Sequence, residues 1–289
     1  MKKVHLVLGC GGARGMAHIG VIEMLEEEGY EIVEVIGCSM GAVIGGIYCS
    51  GFLKQYKQWL LELNKSSVFS LFDFTFTTQG FVKGGRIFNK VQELIGEQNI
   101  EHLKIPFAAV ATDMLHKKEV HFRSGNLFKA LRASIAIPGV FTPVVTEDSI
   151  LADGGILNPL PLSLVTKSRD SIIVAVNLNG PIINMPKLQH PLKEEDASAY
   201  WEWLPKLPLL NKRDITETAK ALPKLSLFDL LTTSFNYTQD RLTEFLIESY
   251  KPDFLIEIPR NVCTTFDFHR AKEIIEEGKK AYRKALMFQ

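Results

Sequence analysis

Short apolar runs alternate with helical apolar stripes through the first half of the chain. Lys3–Leu8 reads as a strand leading into a glycine-rich turn. Residues 17–28 put Ala17, Val21, Ile22 and Leu25 on one face at helical spacing, and Gly29 stops that helix. Ile32–Ile36 is a second strand, followed by a tight turn and a helix of small residues from about Gly41. Further strands are predicted at Phe107–Thr112, Glu119–Phe122 and Ile172–Asn177. Strands this short and apolar, alternating with helices, belong to a mostly parallel sheet covered on both faces. The predicted fold class is α/β, a three-layer α/β/α arrangement.

The pattern breaks twice. Between Ser66 and Phe81 stand five phenylalanines (Phe69, Phe72, Phe74, Phe76 and Phe81) without helical period. Two readings stay open there: loop residues tucked into the core, or a flap over an apolar channel. Pro181 to Pro223 holds six of the 13 prolines, and Trp201 and Trp203 are two of the three tryptophans. This stretch, at about 181–225, is predicted as a lobe on one domain that spans 1–289. Order then returns. Ser226 is the predicted cap of a long helix with Phe228, Leu231, Phe235, Leu242, Phe245 and Ser249 in register. Phe254–Ile258 reads as a strand. A last helix from about Phe268 carries Ala271, Ile274, Ile275, Gly278, Ala281, Tyr282 and Ala285 on its inner stripe.

Charge and cysteine content narrow the function. With 33 basic and 33 acidic residues the formal net charge is zero, which argues against a nucleic-acid partner. The four cysteines show no metal-ligand spacing and read as reduced thiols of a cytoplasmic protein. Val4–Leu8 ahead of Cys10 imitates a lipoprotein leader, but it is short for one and is better explained as the first strand. Val35–Leu53 contains no formal charge, yet its glycines fit a strand, a turn and a core helix better than a membrane span. Trp201–Arg213, with its leucines and basic residues, has the make-up of a peripheral membrane contact. A surface lobe or a dimer contact explains it equally well, and the oligomeric state is not legible.

Three motifs carry chemistry. Gly37-Cys38-Ser39-Met40-Gly41 fits G-x-S-x-G directly after a strand and before a helix. Such a turn is too sharp for a Cβ two residues to either side of the serine, and it projects the serine beside a helix N-terminus. Gly9-Cys10-Gly11-Gly12-Ala13-Arg14-Gly15 follows the first strand but lacks the spacing of a dinucleotide or nucleotide-phosphate loop. What remains is a run of unobstructed backbone N–H groups, the material of an oxyanion hole, or else a plain strand–helix turn. Asp153-Gly154-Gly155 ends a strand-like Ser149–Ala152. On its own it would be an ordinary turn.

Together, Gly11-Gly12-Ala13-Arg14-Gly15, the Gly37-x-Ser39-x-Gly41 elbow, Asp153-Gly154-Gly155 and Ala133-Ser134-Ile135-Ala136-Ile137-Pro138 resemble the patatin-like phospholipase family. The order and spacing match over roughly Lys3 to Asn177, and Pro252–Leu286 resembles the ending of small bacterial single-domain members. Cys10 departs from the family pattern, where another glycine is common.

The resemblance implies a serine acyl hydrolase acting on fatty-acyl esters of phospholipids, lysophospholipids or related lipids. It implies Ser39 as nucleophile, Asp153 as base with no histidine between them, and Gly11, Gly12 and Met40 as oxyanion donors. Arg14, Gly15, Gly37, Gly41, Gly154 and Gly155 support these groups. No cofactor or metal is expected; the expected partner is a lipid or acyl ester, with cytoplasmic location and surface association with membrane.

Two alternatives differ in kind. Ser39, Asp153 and His269 stand in the order of an α/β-hydrolase triad. Against it, only one strand precedes the serine strand, and His269 lies off the apolar stripe, behind an Asp267 cap. His18 shares a face with Val21, Ile22 and Leu25 and reads as a core histidine. The second alternative is a non-catalytic lipid-binding protein on the same fold.

Overall fold

The computed structural model describes residues 2–71, 73–77, 80–82, 84–166, 168, 170–182 and 227–287. Its strands are β1 (Lys3–Leu8), β2 (Glu31–Cys38), β3 (Phe74–Thr77), β4 (Gly80–Val82), β5 (Phe107–Asp113), β6 (Lys118–Phe122), β7 (Val144–Val145), β8 (Ile150–Asp153), β9 (Ser171–Gly180) and β10 (Phe254–Pro259). Its helices are α1 (Ala17–Glu27), α2 (Met40–Ser50), α3 (Leu53–Glu62), α4 (Lys65–Leu71), α5 (Gly85–Ile95), α6 (Leu127–Ser134), α7 (Leu227–Tyr250) and α8 (Ala271–Leu286).

The main sheet runs β10-β9-β1-β2-β5 with all neighbours parallel, and β6, β7 and β8 add an antiparallel margin. The central strand β1 is buried on both faces from Val4 to Leu8 because both are covered. Val4, Leu6 and Leu8 enter the main core with Ile22 of α1, Ile44 of α2 and Ile274 of α8. Val7 points the other way, onto Ile173, Ala175 and Leu246 of α7. Helices on both faces make the three-layer α/β/α fold.

The register fixes where the motifs meet. On one edge of β5, Cys38 of β2 pairs with Val110, and Asp153 of β8 pairs with the next residue, Ala111. β6 takes the opposite edge over Ala109–Asp113. The strand that delivers Ser39 and the antiparallel strand that delivers Asp153 therefore run toward each other along β5 and end side by side. The loop after β1 opens at the same carboxyl end of the sheet, where β2 and β9 leave β1 in opposite directions. That is the usual crevice of an open α/β sheet.

The chain divides into two compact units, Met1–Ile182 with Phe235–Gln289, and Ile183–Ser234. The first contains the sheet. Of the second, the described residues comprise only the start of α7. From residue 183 on, the predicted lobe at about 181–225 lies outside the described residues, as do the Trp201–Arg213 stretch and the Ser226 cap.

Three expectations are corrected. The five-phenylalanine connector is not plain loop: it contains α4 and the β3–β4 hairpin, with Phe69 exposed. Phe72 lies outside the described residues, and so do the side chains on which the flap reading rests. The buried face of α7 is not the aromatic stripe, since Leu231 and Phe245 are exposed while Gln239, Thr243 and Leu246 are buried. The helix covers polar loop backbone as well as sheet, so it needs polar groups on its inner face. Asp267 does not cap the following turn through its side chain; its carboxylate accepts from the Thr264 N–H behind it.

Candidate active site

Ser39 sits between β2 and α2 with φ 54 and ψ −125, backbone that an L-residue adopts only under constraint. The elbow glycines explain how the chain gets there. A Cβ on Gly37 would stand 2.5 Å from the Ala42 Cα, and one on Gly41 would stand 2.2 Å from the Leu8 carbonyl oxygen. The constraint is held from the side by Ser134, fully buried at the end of α6. Its hydroxyl accepts from the Ser39 N–H at 2.9 Å and donates to the Val110 carbonyl at 2.6 Å. This Ser134 role was not read from the sequence, although the A-S-x-x-x-P element contains it.

The Ser39 hydroxyl donates to Asp153 Oδ2 at 2.6 Å, across 114 residues of sequence. The other carboxylate oxygen accepts from the Gly155 N–H at 2.7 Å. Burial pushes the Asp153 carboxyl up from 3.8 to about 6, against the two hydrogen bonds that pull it down. Gly154 packs so closely on β5 that a Cβ would meet the Val110 carbonyl oxygen at 2.4 Å. Among the described residues no histidine stands in the pair. His269 lies half-buried on the turn before α8. His18 is fully buried and donates through Nε2 to the Gly9 carbonyl, and burial pushes it down to about 4.

The loop after β1 is pinned on either side of two free donors. The Cys10 N–H goes to the Pro159 carbonyl and the Ala13 N–H to the Thr265 carbonyl. Among the described residues, the N–H groups of Gly11, Gly12 and Met40 have no partner. Gly12 has a φ of +56, the left-handed region that favours glycine. Arg14 is buried and works structurally: it donates to the Leu178 and Cys263 carbonyls and to Asn179 Oδ1. Gly15 leaves room for the Met40 side chain, which a Cβ there would meet at 2.3 Å. Cys10 and Cys38 are buried free thiols, and burial pushes Cys38 well up.

Ser39, Gly12 and Met40 form the inner end of an apolar pocket enclosing about 790 Å³, open solvent at its mouth included. Val43, Tyr56, Leu60, Phe88 and Val91 make its buried wall; Trp59, Leu63 and Ile87 lie nearer its rim. Among the described residues no cluster of His, Cys, Asp and Glu could hold a metal ion, and no helix is long and apolar enough to cross a membrane.

Fold and site define an α/β protein with a strand–serine–helix elbow at the carboxyl ends of parallel strands. Residues 6–166 match the patatin-like phospholipase family, and the chain belongs to that family of lipid hydrolases. It is 34% identical over 329 residues to an uncharacterized NTE family protein of Mycobacterium tuberculosis (strain ATCC 25618 / H37Rv), covering 98% of this chain and 91% of the relative. It is 29% identical over 287 residues to lysophospholipase NTE1 of Mycosarcoma maydis, covering 96% of this chain but 14% of that protein. The crystal structure of VipD from Legionella pneumophila aligns with a TM-score of 0.47 and 12% identity, over 99% of this chain and 67% of that one. That likeness is too slight to build on.

Proposed function

We propose that this chain is a serine acyl hydrolase that cleaves fatty-acyl esters of phospholipids, lysophospholipids or related lipids. The observation that carries the reading is the buried Ser39–Asp153 hydrogen bond at the inner end of an apolar pocket. The similarity to a lysophospholipase supports the same substrate class.

In the proposed reaction Ser39 Oγ attacks the ester carbonyl carbon while its proton passes to Asp153 Oδ2. The carbonyl oxygen becomes an oxyanion facing the N–H groups of Gly11, Gly12 and Met40. The Ser39 N–H is not among these donors, because Ser134 already engages it. Collapse breaks the ester C–O bond, and the leaving alcohol takes the proton from Asp153. Water then attacks the acyl-serine, Asp153 accepts its proton and returns it to Ser39, and the fatty acid leaves. A carboxylate with its pKa raised toward neutrality is a better base for this transfer than an ordinary aspartate. The direct Ser39–Asp153 hydrogen bond speaks against a Ser–Asp–His route, in which an imidazole would lie between the two side chains.

The test is a panel of short-chain esters, phospholipids, lysophospholipids and acylglycerols, run on wild type and Ser39→Ala. Hydrolysis of at least one fatty-acyl ester should vanish in the variant while its melting temperature stays unchanged. Hydrolysis that survives Ser39→Ala, or no turnover of any ester by wild type, overturns the proposal and leaves a lipid-binding role.

A further inference from the structure

Helix α7 lays a polar side chain against the loop that follows Asp153 and against the loop after β1. Gln239 is buried; its Nε2 donates to the Gly155 carbonyl at 3.0 Å and lies 3.4 Å from the Cys10 sulfur. Gly155 is the residue whose N–H holds Asp153 Oδ1. A Cβ on Gly155 would lie 2.5 Å from Gln239 Nε2, 3.0 Å from Asp153 Oδ1 and 3.1 Å from the Cys10 sulfur. Amide, carboxylate and thiol thus converge around one bare Cα, and Cys10 leads directly into Gly11 and Gly12. An apolar side chain would fill the same volume but leave a buried carbonyl without its donor.

We propose that Gln239 is a positioning residue for the pair. Its amide fixes Gly155 so that the Gly155 N–H stays on Asp153, and it ties this loop to the strand end carrying the free donors. The inference rests on the proposed roles of Ser39 and Asp153. Gln239 acts through Gly155 and Cys10, not on substrate. The titratable groups around Asp153 are Cys38 of β2 and Cys10, with Glu119 of β6 within electrostatic reach of Cys38. Arg14 lies within electrostatic reach of Cys10, and Asp240, next to Gln239, is paired with Arg260. Hydrogen bonds from Gly155 and Ser39 are thus what favours the Asp153 charge against burial, and loosening Gly155 weakens one of them.

The experiment follows the rate at which a fluorophosphonate labels Ser39 as a function of pH, read by mass spectrometry, with melting temperatures alongside. In that step Ser39 Oγ bonds to phosphorus, fluoride leaves, and the serine proton passes to Asp153. Gln239→Met should label at least about tenfold more slowly at pH 7, with its acid limb moved up by about half a pH unit. Gln239→Glu, of the same shape, should move the limb further, because it removes the donor to the Gly155 carbonyl and sets a second carboxylate near Asp153. Variants that melt earlier but keep the wild-type rate and limb would show that Gln239 only packs α7, and would overturn the inference. Wild type that does not label at Ser39 would instead remove the pair itself, and this inference with it.

Discussion

Asp153 has exchanged water for two hydrogen bonds, and the exchange leaves its charge disfavoured, at about 6 against an ordinary 3.8. Two consequences follow with opposite signs. Under the proposed mechanism Asp153 is the general base and must be ionised, so hydrolysis should climb as pH rises through about 6 and level off above it. A rate–pH profile of kcat/KM reads this directly. Stability runs the other way. A carboxyl whose folded pKa lies above its unfolded one stabilises the fold fully below about pH 4, and that contribution is lost as pH rises through about 6. The size is roughly 3 kcal/mol. Asp153→Asn should therefore be inactive yet more stable than wild type at pH 8, by about 1–3 kcal/mol in urea unfolding, with the difference gone near pH 4. A variant less stable than wild type at pH 8 would mean the hydrogen bonds outweigh burial. Ser39 and Asp153 were legible in sequence because each stands in a local motif whose glycines serve it. Ser134 and Gln239 were not, since one acts 95 residues away from Ser39 and the other 84 residues away from Gly155.

Elements with a plain period were the legible ones. β1 matches its predicted span, and β2 with α1 and α2 differ only at their ends. Buried strands of a parallel sheet are apolar through and through, and this signal needs no tertiary context. Helix α3 escaped because its apolar positions are sparse: it buries Leu53, Tyr56 and Leu60 among charged and polar neighbours. α7 misled for a different reason, since its inner face meets loop carbonyls and carries Gln239 and Thr243, while aromatic and aliphatic residues face outward. The packing of α2 on β1 has an expectation of its own. Glycine to alanine inside a helix normally adds stability, up to about 1 kcal/mol. At Gly41 the added methyl would meet the Leu8 carbonyl oxygen at 2.2 Å and the Gly9 carbonyl oxygen at 2.7 Å. Gly41→Ala should therefore destabilise by about 2–3 kcal/mol in chemical unfolding and reduce activity in parallel. A neutral or stabilising effect would mean that helix and strand can separate freely.

For the whole molecule, a neutral net charge and an apolar pocket fit a protein that meets lipid through a local surface, not through bulk attraction. We keep as proposals the single catalytic domain over 1–289 and the membrane contact at Trp201–Arg213, which lies outside the described residues. Replacing Trp201 and Trp203 together with alanine should lower binding to phospholipid vesicles several-fold in a sedimentation assay while leaving short-ester hydrolysis intact. Unchanged sedimentation would remove that contact. The sheet also bears on how such an enzyme is controlled. Cys38, just before Ser39, and Asp153 pair with successive residues on the same edge of β5. Parting Ser39 and Asp153 would mean peeling β8 from β5 and β7, main-chain bond by main-chain bond. Under the proposed chemistry the machinery is thus permanently assembled, with no rest position to fall back to. A cell that needs it silent has to police the doorway, deciding which esters reach the serine.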